Sequence, residues 1–178
     1  RPYPSVLWEF SDPSPGAPCS DFGTGACSNL IAPALGETRS RPVLGRIKVI
    51  TSTTPPVTFE DRYVAIFGGG FDQSLDVADD PVDTTVGRAF YMVDVETGNI
   101  LFKTSEGVDA GGTPISFGPM PAPPAVADYN DDGYLDVVYI GDTRGNMWRI
   151  DITPDAGAAP IPRGDLQADG QLHGYQPF

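Results

Sequence analysis

Residues 128–136 read DYNDDGYLD, and oxygen-bearing side chains recur at alternate places: Asp128, Asn130, Asp132 and Asp136 stand at positions 1, 3, 5 and 9, with Gly133 at position 6. This is the ligand spacing of an EF-hand-type calcium loop. A hard cation of calcium's size takes about six to eight oxygens, and a chain curling around it turns alternate residues inward while glycine permits the sharp bend. The expected ligand set for Ca2+ is therefore the side chains of Asp128, Asn130, Asp132 and Asp136 with the backbone carbonyl of Tyr134 at position 7. Asp131, at position 4, should face solvent. An EF-hand carries glutamate at position 12, but that place is Tyr139, and both flanks have strand character. The loop is not a true EF-hand, and the closing contact falls to Asp136. Carboxylates packed this closely repel, and a bound divalent ion offsets the repulsion; the competing reading is an acidic turn that folds without metal. Magnesium suits the set less well because it keeps more of its water.

Other chemistry finds little support. His173 is the only histidine and lies in a polar stretch, so neither a nucleophile–histidine pair nor a histidine zinc site has its remaining members. Cys19 and Cys27 bound the short segment CSDFGTGAC, a spacing that a disulfide can bridge; two reduced thiols are the alternative. The acidic segment 71–85 carries Asp72, Asp76, Asp79, Asp80 and Asp83 without regular ligand spacing and reads as a solvated surface insertion, with a second cation site as the other possibility.

The elements that must position the loop are strands. The runs after it, 135–141 and 146–152, are rich in β-branched and aromatic residues, with the turn Asp142-Thr143-Arg144-Gly145 between them. A short run at 125–127 precedes it. Upstream, AFYMVDVETGNILFK at 89–103 predicts a hairpin turning at Gly98 and Asn99, and DRYVAIF at 61–67 predicts a core strand closed by three glycines. Residues 42–50 predict a strand pair or one bent strand, the Thr/Pro run 51–58 a connection, and 6–10 a further strand. Trp8 and Trp148 are expected in the core. No helix is demanded anywhere.

Glycine (21) and proline (19) exceed a fifth of the 178 residues, which favours turn-rich β structure, while 40% apolar content suffices for a core. With 24 acidic against 11 basic residues the net charge is -13, which argues against nucleic acid and anionic membrane surfaces as partners. No run reaches the ~18 apolar residues of a membrane-spanning helix. The chain starts at arginine, as it would after removal of a signal peptide or as part of a longer polypeptide.

An aromatic followed by a charged and then an apolar residue recurs in LWEF, MWRI and, more weakly, LFK. Recurrence at intervals of tens of residues is what propeller blades produce. The fold class predicted is all-β, with about two blades of a larger β-propeller over 1–152 and an irregular connection or tail over 153–178. A propeller needs about four to eight blades, so the remainder of its own propeller or polypeptide is an expected partner.

The segments LWEFSD at 7–12, RYVAIFGGGFD at 62–72, FYMVDVETGNILFK at 90–103 and DYNDDGYLDVVYIGDTRGNMWRIDI at 128–152 together resemble the C-terminal propeller of PilY-type proteins of type IV pili. The resemblance implies an exported protein that passes through the periplasm to the pilus tip or cell surface. It implies partners among the minor pilins and pilus machinery, attachment to host or abiotic surfaces, and a calcium-loaded propeller that balances pilus extension against retraction. Asp128, Asn130, Asp132, Tyr134 and Asp136 match the family loop position by position. Two other readings share parts of the pattern. One is a generic extracellular, glycan-binding propeller with structural calcium. The other is a quinoprotein dehydrogenase, whose blade repeat resembles Ala89, Asp94, Thr97 and Gly98 but prefers tryptophan where Phe102 stands. The expectation is a non-enzymatic protein.

Overall fold

The computed structural model describes residues 8–10, 35–52, 58–71, 86–108 and 114–152. Cys19, Cys27, His173, nearly all of the acidic segment and the stretch after residue 152 lie outside them. The described elements are strands: β1 (Val43–Ser52), β2 (Thr58–Gly68), β3 (Phe90–Asp94), β4 (Ile100–Thr104), β5 (Glu106–Val108), β6 (Pro114–Ser116), β7 (Ala125–Ala127), β8 (Val137–Gly141) and β9 (Met147–Asp151). They form a four-stranded sheet ordered β1-β2-β3-β4, a two-stranded sheet β5-β6 and a three-stranded sheet β7-β8-β9. Every pairing is antiparallel. Among the described residues no helix is long and apolar enough to cross a membrane.

Side chains alternate across β3, and both faces are covered. Phe90 and Met92 enter one apolar cluster, Tyr91 and Val93 another. The first cluster joins Ile47, Val64, Ile66 and Phe102 of the four-stranded sheet to Val138, Ile140, Trp148 and Ile150 of the three-stranded sheet, with Phe117 and Met120 between. The two sheets are thus stacked face to face, as adjacent blades are. Trp148 is only 1% exposed, and losing a buried aromatic of this kind costs about 3–5 kcal/mol.

The expected hairpin at 89–103 is present as β3-β4, with a register shift between Met92 and Val93. Three elements differ from the sequence reading. Of the two readings of 42–50, the single bent strand is the one present, as β1 from Val43; it departs from expectation by running on to Ser52, into the expected connection, because it keeps pairing with β2 through a register shift between Ile50 and Ser52. The described part of the expected strand at 6–10 is not in a strand. Trp8 instead donates its indole N–H to the Val95 carbonyl at 2.8 Å, and Phe10 packs edge-on against Phe67 and Tyr91, so this segment covers a sheet face through its side chains. Between the hairpin and the run at 125–127, where the sequence reading gives no strand, Pro114–Ser116 form β6, paired with β5 over three residues. Strands this short carry too little alternation to be read locally.

Candidate metal site

The loop 128–136 joins β7 to β8, so both flanks are strands as expected. Its side chains are oriented by the backbone they enclose. Asp128 Oδ2 accepts from the Gly133 amide at 2.8 Å, Asn130 Oδ1 from the Asp132 amide at 3.0 Å, and Asp132 Oδ1 from the Tyr134 amide at 3.0 Å. Asp136 Oδ2 accepts from the Tyr129 amide at 2.6 Å. These bonds force a tight coil, which Gly133 accommodates at φ 85°. Asp131 is exposed, as its position predicts, and adopts φ 57°, a left-handed conformation that aspartate tolerates better than most residues.

The closing residue is the most firmly held. Asp136 is buried, its amide donates to the Ala127 carbonyl at 3.0 Å, and its carbonyl accepts from the Ile152 amide at 2.7 Å. It therefore anchors the loop to the start of β8 while presenting its carboxylate inward toward Tyr129. At the opposite end, Asp128 Oδ1 is buried and accepts no hydrogen bond. A desolvated carboxylate oxygen without a donor is costly, and a cation is the partner that removes the cost.

Among the described residues no three Asp, Glu, His or Cys side chains are gathered into a metal-binding cluster. Asp128, Asp132 and Asp136 thus share the loop without converging. Asp132 also pairs with Lys48, whose Nζ lies 3.5 Å from Asp132 Oδ2. The donor set still fits a hard cation: it consists of oxygens alone, and two of its five expected members are an amide and a backbone carbonyl.

Tyr134 has a second environment that the sequence did not disclose. Its ring is flanked by the Arg46 guanidinium at 4.0 Å and the Lys48 ammonium at 4.1 Å, and its hydroxyl donates to Asp61 Oδ1 at 2.9 Å. The hydrogen bond to Asp61, with burial second, holds this hydroxyl's pKa above the ordinary phenol value. Arg46, Lys48 and Asp61 are sequence neighbours of nothing in the loop. The one available signal was their alternation: Arg46 and Lys48 lie on the same face of β1, and Asp61 is Lys48's register partner on β2.

At the other end of β8 from this loop sits a built turn. Asp142 Oδ2 accepts from the Gly118 amide at 2.9 Å, from Asn146 Nδ2 at 3.0 Å and from the Trp148 indole at 2.8 Å. Its Oδ1 accepts from the amides of Arg144 at 2.9 Å and Asn146 at 3.0 Å. Burial by itself would raise the Asp142 pKa, but the hydrogen bonds from Asn146, Trp148 and Gly118 outweigh it and hold the group below the usual carboxylate range.

Residues 62–164, more than half of the chain, match the PilY1 beta-propeller domain. The type IV pilus biogenesis factor PilY1 of Pseudomonas aeruginosa strain PAO1 is 28% identical over 120 residues, which is 67% of this chain and 8% of that protein. The protein of the same description from strain UCBPP-PA14 is 27% identical over 118 residues, 66% of this chain and 8% of its own length. The crystal structure of the P. aeruginosa PilY1 C-terminal domain is similar over 80% of this chain and 25% of that one, at 21% identity and a TM-score of 0.42. The chain thus spans about 8% of the length of the curated relatives it matches. By its matched residues and its all-β architecture, the chain belongs to the PilY1 β-propeller domain family.

Proposed function

We propose that residues 128–136 bind one calcium ion and that this chain is the calcium-braced part of an exported propeller serving type IV pilus biogenesis. The observation that carries the calcium reading is Asp128 Oδ1, a buried carboxylate oxygen without a hydrogen-bond donor, in a loop with oxygens at positions 1, 3, 5, 7 and 9. The ligands are Asp128, Asn130, Asp132, Asp136 and the Tyr134 carbonyl. Bound calcium supplies charge neutralisation and a rigid centre, with no catalytic step. Asp136 transmits that rigidity, because its own backbone is bonded to Ala127 and Ile152.

The biological role is supported by the family and by the description of the relatives as type IV pilus biogenesis factors. On this reading the protein crosses the periplasm and acts at the pilus tip or cell surface. It works with the rest of its own polypeptide, minor pilins and the pilus machinery. It contributes to the balance of extension and retraction and to attachment to host or abiotic surfaces, without being an enzyme.

The test is calorimetric calcium titration of the chain and of Asp128→Asn, which retains an oxygen for the Gly133 amide but loses the charge. Wild type should bind close to one ion, and the variant should lose about tenfold or more in affinity, with matching thermal melts in chelator. Introduced into the piliated source cell, the same substitution should reduce surface pili. A folded wild-type chain that takes up no calcium would refute the reading.

A further inference from the structure

The loop of the three-stranded sheet is fastened to the four-stranded sheet by residues on either side of its glycine. Tyr134 lies between Arg46 and Lys48 of β1 and reaches Asp61 of β2. The next amide, Leu135 N, donates to the Arg46 carbonyl at 2.8 Å on the edge of β1. Leu135 packs toward the shared core, and Gly45 leaves the room for it: a Cβ at Gly45 would overlap the Leu135 side chain. Asp132 pairs with Lys48 at 3.5 Å. β1 is the edge of its sheet, and β7 to β9 share no ladder with it.

We infer that the Tyr134 side chain is a positioning residue that couples cation binding in one blade to the docking of the neighbouring blade's edge strand. The inference rests on the calcium reading above. The physical argument is continuity. The backbone carbonyl of Tyr134 is an expected ligand, while its ring, in the same residue, is held by two cations and a carboxylate of the other sheet. Cation–π contacts of this kind fix the plane of the ring and thereby limit the backbone that carries it. A loop held in place before the ion arrives loses less conformational freedom on binding, which raises affinity. Linkage then requires the converse: an ion that prefers the docked loop must tighten the docking of β1 by the same factor.

The residue lends itself to a clean experiment, because truncating its side chain leaves the carbonyl ligand in place. Calcium affinity is measured by calorimetry for wild type, Tyr134→Phe, Tyr134→Ala, Arg46→Ala and the Tyr134→Ala/Arg46→Ala pair. Hydrogen exchange at the Leu135 amide is followed with calcium and with chelator. Tyr134→Ala should weaken calcium about tenfold, within the range of ordinary coupling between sites. Tyr134→Phe, which keeps the ring between its cations, should recover most of that loss. The double variant should be no weaker than the poorer single one, since both remove the same contact. In wild type, chelation should speed exchange at Leu135, and in Tyr134→Ala it should not.

Wild-type binding together with Tyr134→Ala and Arg46→Ala affinities within twofold of it would overturn the inference and leave the calcium reading intact. Absence of binding in the wild-type chain would instead overturn the calcium reading and the inference with it. Should Tyr134→Ala not fold, the comparison of wild type with Tyr134→Phe and Arg46→Ala decides, and equal affinities with chelator-insensitive exchange at Leu135 refute the coupling.

Discussion

Replacing Asp142 by alanine tests how the β8-β9 turn is held. Five donors converge on this carboxylate. The amides of Arg144 and Asn146 and the Asn146 side chain lie where water can replace the carboxylate, since Arg144 is exposed and Asn146 half-buried. Gly118 and Trp148 are buried, and their donors would be left without an acceptor. At about 1–3 kcal/mol for each orphaned buried donor, Asp142→Ala should destabilise by ~2–6 kcal/mol. Urea denaturation followed by tryptophan fluorescence measures this directly. Combining it with Trp148→Phe separates the indole bond from the ring's packing: the cycle should show coupling of ~1–2 kcal/mol, as for contacting residues. The Asp142 pKa is depressed in the folded state, so its contribution is fully present above the unfolded carboxylate value of ~3.9 and disappears as pH falls through the lower folded value. The stability gap between wild type and Asp142→Ala should therefore close only in acid below ~pH 4. A loss under ~1 kcal/mol at neutral pH, or additivity with Trp148→Phe within ~0.5 kcal/mol, would refute the reasoning.

Two further substitutions probe the frame around the site. Gly45→Val places a branched side chain where Leu135 packs and should cost ~1–3 kcal/mol; thermal melts give the loss, and faster exchange at the Leu135 amide locates it. Asp94 is buried, caps the β3-β4 turn through the Glu96 and Thr97 amides at 2.8 and 2.9 Å, and pairs with Arg62 Nη1 at 3.3 Å. Asp94→Ala should destabilise by ~1–3 kcal/mol, with Asp94→Asn, which retains an oxygen for the turn, costing less in the same urea titration.

Local information was sufficient for much of this protein. The hairpin 89–103 was legible because two apolar runs and the glycine-bearing turn between them act within a few residues, and the 128–136 loop because the spacing of its oxygens and a glycine requirement are properties of a short segment. The same locality let position 4 be assigned to solvent, where Asp131 lies. Local information failed where backbone pairing depends on a distant partner. Trp8 to Phe10 have the composition of a strand, yet Phe10 packs edge-on against Phe67 and Tyr91 and Trp8 against the same apolar cluster, and β5 and β6 are too short to announce themselves.

The site divides along the same line. The order of oxygens in 128–136 is written in the sequence, and so is its calcium-like spacing. That Tyr134 is held between Arg46 and Lys48, that Leu135 needs the bare backbone of Gly45, and that Gly118 donates to Asp142 are matters of tertiary structure. The reason is range: turn geometry and ligand spacing are set by covalent neighbours, whereas ring stacking and close backbone approach depend on which segments the shared core of the two sheets brings within a few ångströms.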